Sequence, residues 1–221
     1  MFSLKCIFPN SIKPSVNKIK YSLTTKNGLE HNNFDVAKLD GNNDVLVIIV
    51  GINSSVNGYK DKYFQIAKRA NEIYGSTIFI VNNNEHNWYV PKNYFDAIIR
   101  YIRENMQNYN KIRIKLFGHS AGATLATYYA WEYPEISDLL LVNPPLFKEN
   151  LETTVNAMKL FTGNATLVVG KNDPSYKFGE LFSLSEYTEL FNNVVLFDKA
   201  DHNFKGLLKE FIELPFQYFY N

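Results

Sequence analysis

An α/β fold built on an open, mostly parallel sheet is what this chain predicts, on three observations. The run "VLVIIV", Val45 to Val50, is apolar at every position, as suits a strand covered on both faces. Downstream, short apolar runs alternate with segments whose apolar residues recur at helical spacing, the pattern of successive β–α–β units with helices on both faces. Upstream, "KIKYSLTT" and "LEHNNFDVA" flank Asn27-Gly28, a pair that tolerates the positive φ of a tight turn, so residues 1–40 read as an N-terminal antiparallel hairpin region.

The elements follow in order. Residues 60–74 place Tyr63, Ala67, Ala70 and Tyr74 on one helical face, and "STIFIVN" is the next strand. A second helix over 92–108 carries Tyr94, Ile98, Tyr101, Ile102 and Met106 at the same spacing. "KIRIKLFG" is a strand ending at Phe117, and "AGATLATYYAWEY" is a helix of small residues stopped near Pro134. "SDLLLVN", "ATLVVG" and "NVVLFD" are three more strands with helical segments between or after them, the last marked by Phe204, Leu207, Leu208, Phe211 and Ile212. No repeat, low-complexity tract or linker interrupts this series, so 1–221 reads as a single domain of a size to bury one core.

Composition narrows the function classes. Hydrophobic residues are 46% and charged residues 20%, the balance of a folded chain rather than a disordered one. The net charge is +1 and the basic residues are scattered, without the stripe or arm that nucleic acid or an anionic membrane calls for. The longest strongly apolar run falls well short of the ~20 residues needed to span a bilayer. The first residues lack the apolar stretch and cleavage site of a secretory signal, so a soluble cytoplasmic protein is expected. The single cysteine, Cys6, allows no intrachain disulfide and has no zinc-ligand pattern around it. The oligomeric state is left open.

In open parallel sheets, ligands bind beyond the carboxyl ends of the strands. Those edges read Gly51-Ile52-Asn53, Asn82-Asn83-Asn84, Gly118-His119-Ser120, Asn143-Pro144-Pro145, Gly170-Lys171-Asn172-Asp173 and Ala200-Asp201-His202. Ser120 sits in G-x-S-x-G between a strand and a helix. A serine alcohol is a weak nucleophile near neutral pH and needs an exposed, strained position and a base. G-x-S-x-G alone also forms inert turns; the strand before it and the small-residue helix after it give the motif its meaning.

Histidine suits the base, with an ordinary pKa of ~6.5. Of four histidines, His31 lies in the hairpin, His86 in a strand-edge loop, and His119 beside the serine, where neighbouring side chains of a sharp turn point apart. His202, just after the last strand, is at the right edge. Asp173, in "GKNDP" one strand earlier, suits the role of orienting acid; its rival Asp201 adjoins His202 and has an alternative use as a cap of the final helix.

The order Ser120, Asp173, His202, with the pieces "GHSAG", "GKNDP" and "ADHNF" and the two leading antiparallel strands, resembles the α/β-hydrolase superfamily across nearly the whole chain. The resemblance implies catalysis by Ser120, Asp173 and His202 through an acyl-enzyme, with no metal or organic cofactor. It implies an oxyanion hole from the backbone N–H of Ala121 and of Ile52 in the loop after the first parallel strand. Many relatives have His-Gly there; this chain has Val50-Gly51, which keeps the backbone donor and removes a side chain that often braces the loop.

Relatives commonly insert a lid after the strand that here ends at Val142. The corresponding cap-position segment, residues 144–163, has room for about one helix, so a large lid is not expected. Asn53, His119, Trp88, Pro144, Leu146 and Phe147 are candidate substrate contacts, with Pro144, Leu146 and Phe147 forming an apolar wall for a small acyl group. Trp88 and Tyr89 are equally suited to packing under their own loop. The expected substrate is a small-molecule acyl ester or thioester, with a thioesterase, an acyltransferase and a non-catalytic scaffold as alternatives to a carboxylesterase.

Overall fold

The computed structural model describes residues 14–25, 28–83, 91–106, 112–184, 187 and 189–220. Eight strands form one sheet: β1 (Ser15–Thr25), β2 (Gly28–Leu39), β3 (Asn42–Ile52), β4 (Ser76–Asn83), β5 (Arg113–His119), β6 (Ile136–Val142), β7 (Asn164–Gly170) and β8 (Asn193–Phe197). Their spatial order is β1-β2-β4-β3-β5-β6-β7-β8. The β1–β2 and β2–β4 pairs are antiparallel and every other pair is parallel.

Strand β3 lies between β4 and β5 and sorts the core by the period of two that a strand imposes. Val45, Val47 and Ile49 point to the layer that holds α2 (Lys92–Asn105), α3 (Ala121–Tyr129), α4 (Lys148–Leu160) and α5 (Tyr176–Phe182). Leu46, Ile48 and Val50 point to the other layer, under α1 (Lys62–Tyr74) and α6 (Leu208–Tyr218). All six are fully buried, so each layer gains ~1.5–3 kcal/mol per side chain from this strand alone, as an upper bound.

Several expected boundaries move. The β1–β2 register pairs Thr25 with Gly28, placing Gly28 inside the second strand rather than in the turn; Lys26 and Asn27 lie outside the described residues. Strand β5 continues past Phe117 to His119, because Gly118 and His119 still pair with Leu141 and Val142 of β6. Phe204 and Leu207 precede α6 instead of belonging to it. Phe204 has a φ of 54° and is 2% exposed, its ring centroid 5.3 Å from that of Phe211; core packing rather than helical hydrogen bonding fixes it. Segment 144–163 supplies one helix, α4, whose Met158, Leu151 and Val155 join the core layer beneath α3. It is a crossover between β6 and β7, not a lid.

The junction of β5 and α3 is tight. A Cβ on Gly122 would lie 2.1 Å from the carbonyl oxygen of Ile49, and one on Gly118 would lie 2.6 Å from the Ala123 Cα. These are backbone obstacles that no rotamer change relieves. Gly122→Ala is therefore expected to lower stability by about 3 kcal/mol. A reduced urea midpoint at unchanged denaturant slope is the readout, and a midpoint equal to wild type would show that α3 can retreat from β3.

Candidate active site

Ser120 closes the turn between β5 and α3 with φ 56° and ψ −124°, outside the regions that side-chain-bearing residues prefer. Such a conformation costs about 1–3 kcal/mol and persists where the surroundings enforce it. Here Ser120 N–H donates to the Val142 carbonyl at 2.9 Å, and Ser120 O accepts from Ala123 and Thr124 N–H at the start of α3. Gly51 passes directly over the serine: a Cβ there would lie 3.1 Å from Ser120 Cβ. Ser120 itself is 8% exposed.

His202 arrives from the loop after β8. Its Nδ1 is 2.6 Å from Asp173 Oδ2 and its Nε2 is 2.8 Å from Ser120 Oγ. A carboxylate only accepts, so Nδ1 carries the hydrogen, and in the neutral ring Nε2 presents its lone pair to the serine hydroxyl. The Asp173 side chain is fully buried, and its second oxygen accepts from Ser175 N–H at 2.6 Å. Ser175 Oγ in turn accepts from Leu146 N–H at 3.0 Å, tying the aspartate loop to the segment after β6. The rival acid is engaged elsewhere: Asp201 Oδ1 accepts the N–H groups of Asn203 and Lys205, forming a local turn rather than a cap on α6.

Two buried side chains hold His202 from behind. His119 is 2% exposed; its Nε2 lies 3.0 Å from the His202 carbonyl and its Nδ1 lies 2.8 Å from Tyr63 Oη. Since the carbonyl only accepts, His119 donates from Nε2 and accepts from the tyrosine at Nδ1. Burial, reinforced by the nearby Lys62 charge, holds the His119 pKa well below the ordinary imidazole range. Burial also pushes the Tyr63 phenol up, against hydrogen bonds from the Gly51 backbone and Ser54, so the phenol keeps its proton.

Asn143, at φ 47° and fully buried, donates through Nδ2 to the Asp201 and His202 carbonyls at 3.1 Å each. Its Oδ1 accepts Gly170 N–H at 2.8 Å, so one side chain links the ends of β6 and β7 to the His202 loop.

The structure thus brings Ser120, Asp173 and His202 together and sets His119 behind them, both ring nitrogens engaged, rather than on an open surface. Asn53 is exposed at φ 54°, with its N–H given to the Asn83 carbonyl at 2.8 Å. Pro144 and Leu146 are buried, Leu146 as part of the core, and Phe147 is 37% exposed. Trp88, like His86, Tyr89 and Cys6, lies outside the described residues. Sequence reasoning missed Asn143 and Tyr63 as supports of the site: the asparagine was visible only as a strand-edge residue, and the tyrosine only as one of a helical apolar face. No group of histidine, cysteine, aspartate and glutamate among the described residues is arranged to hold a metal, and no described helix is long and apolar enough to cross a membrane.

No protein-family model and no curated protein sequence matches this chain. Solved structures do resemble it. Est1E from Butyrivibrio proteoclasticus superposes with a TM-score of 0.63 at 12% identity, over 90% of this chain and 98% of its own. The Pyrococcus furiosus esterase Pf2001 gives 0.63 at 15% identity, over 93% of each chain. A Xanthomonas campestris protein described as an α/β serine hydrolase without lid gives 0.55 at 17% identity, over 90% of this chain and 93% of its own. With these structural likenesses, its mostly parallel eight-stranded sheet, the leading antiparallel hairpin and the serine at the turn after β5, the chain has the α/β-hydrolase fold.

Proposed function

We propose that the protein is a serine hydrolase that cleaves a small carboxylic ester through an acyl-enzyme on Ser120. The observation that carries this reading is the unbroken hydrogen-bond chain from Ser120 Oγ through His202 to the buried Asp173 carboxylate, with the serine held at positive φ. In the first half-reaction His202 Nε2 takes the hydroxyl proton as Ser120 attacks the carbonyl, and Asp173 stabilises the imidazolium. His202 then protonates the leaving alcohol, and in the second half-reaction it activates the water that releases the acid.

The oxyanion of the tetrahedral intermediate needs donors beside the serine. Ala121 N–H, the first of α3, is one. The second donor in this reading is Ile52 N–H, at the end of β3 directly after Gly51, whose backbone passes over Ser120; Asn53 N–H is spent on the Asn83 carbonyl. The brace lost with Val50 has substitutes in the Asn53–Asn83 hydrogen bond and in Tyr63, whose phenol meets the Gly51 backbone and Ser54. The closed crossover at α4 supports a compact substrate over a long lipid chain.

A fluorophosphonate probe is expected to add once to the wild-type protein and not to folded Ser120→Ala, read by intact mass; an unlabelled, well-folded wild type would sink the reading. Asp173→Asn should lower kcat toward a panel of short acyl esters and thioesters by roughly 10⁴-fold, because the amide stabilises the wrong tautomer of His202. Asn143→Ala removes the tie to the His202 loop without touching the reacting atoms; kcat is expected to fall about 10- to 100-fold with KM little changed.

The neutral His119 gives a pH signature. Its folded pKa lies below its unfolded one, so its contribution is present above about pH 6.5 and is lost as pH falls toward the folded value. Melting curves of wild type should lose stability between about pH 6.5 and 5 more steeply than those of His119→Gln; parallel slopes would remove His119 from this role.

A further inference from the structure

Beside His202 lies a cavity of about 390 Å³ lined by Ser54, Tyr59, Lys62, Asp201, Asn203 and Lys205. Two of these residues flank His202 in sequence, and Ser54 lies just after β3, whose Gly51 passes over Ser120. None of the expected apolar wall, Pro144, Leu146 and Phe147, takes part. The opening is instead ringed by exposed Tyr59, Asn203 and Lys205, and Lys62, 4% exposed, is its buried base.

Lysine is seldom this buried unless it is paired. Among the described residues the Lys62 ammonium has no hydrogen bond and no ion pair; it lies 4.2 Å from the centroid of the Phe211 ring and 5.0 Å from that of Tyr63. Ring faces replace only part of the hydration it has lost. It also opens helix α1, whose N-terminal dipole end repels a cation. Asp201, Lys205 and Tyr59 line the cavity with it, and neutral His119 from β5 and the Tyr63 ring lie near it. Asp201 attracts it from beyond ion-pair distance and is itself engaged with backbone N–H groups. Desolvation outweighs that attraction and brings the Lys62 pKa down to about 8. With two lysines against one carboxylate, the cavity lining has an excess positive charge, and the ammonium of the largely buried Lys62 has no hydrogen-bonding partner among the described residues.

We infer that this cavity is a subsite for an anionic group, a carboxylate or phosphate, carried on the alcohol portion of the ester and received by Lys62 with Lys205 at the opening. The side of the ester follows from the chemistry: His202 hands its proton to the leaving oxygen, and the residues next to His202 form the cavity wall. This deepens the acyl-transfer reading and rests on it for the identity of the substrate.

The test pairs 4-acetoxybenzoate with its neutral counterpart, methyl 4-acetoxybenzoate, after subtraction of spontaneous hydrolysis. The ratio of kcat/KM, anionic over neutral, cancels the titration of the shared catalytic groups. In wild type it is expected to fall as pH rises through about 8, while the benzoate carboxylate stays ionised throughout. In Lys62→Met, near neutral pH, it should be about 10-fold lower. Calorimetric titration with benzoate supplies a readout that needs no turnover: binding by wild type should weaken about 10-fold in Lys62→Met and also above pH 8.

A ratio independent of pH together with benzoate binding indifferent to Lys62 overturns the subsite and leaves the hydrolase reading in place. Lys62-dependent benzoate binding without hydrolysis of either ester does the reverse. Should Lys62→Met fail to fold, the pH dependence of wild type decides the question by itself.

Discussion

The approach of helix α3 to strand β3 leaves no space for a side chain at Gly122, and this close packing governs the geometry of the site. To bring the helix that near, the chain must reverse within one residue after β5. That residue is Ser120, forced to positive φ and anchored by the Val142 carbonyl. The same packing encloses the serine at the start of α3, where the Ala123 and Thr124 N–H groups bond to the Ser120 carbonyl. Gly51 passes close enough over Ser120 to finish that enclosure. A strained conformation of this kind lasts only where the core around it is stronger than the strain. The six fully buried side chains of β3, three in each layer, supply that core.

His202 depends on a different set of forces, because it sits on a loop rather than on a strand or helix. Its position relies on carbonyl oxygens held by buried donors, Asn143 and His119, and on the Asp173 carboxylate at its Nδ1. Each of these partners is buried and has its other polar atoms engaged, which is the condition under which an internal polar network stiffens a structure. Asn143 reaches the ends of two strands as well as the loop, so the spacing of β6 and β7 is coupled to the placement of the histidine. His119, adjacent to Ser120 in sequence, also reaches His202, at its carbonyl rather than its ring.

The character of the opening follows from what the crossovers do. The β6–β7 connection spends its length on one packed helix, so apolar Leu146 is drawn into the core. The cavity that remains beside His202 is lined by the N-terminus of α1 and by the loop before α6, elements that bring charged and polar residues.

Much of this was legible in the chain itself. Two-sided burial writes an unbroken apolar run and one-sided burial writes a period of 3.6, so the strand and helix order could be read directly, and strand order in turn placed Ser120, Asp173 and His202 at one sheet edge. The residues nearest in sequence to those three were the rivals. Local grounds set Asp201 and His119 aside in favour of Asp173 and His202, and the structure gave what occupies them, the aspartate being held by N–H groups two and four residues on. Asn143 and Tyr63 left no local trace of their contacts, because a hydrogen bond spanning 56 or 59 positions has no period in sequence. Local pattern determined the fold and the three chemical groups. The tertiary structure alone decided which polar residues face one another, since that depends on where separate loops end in space.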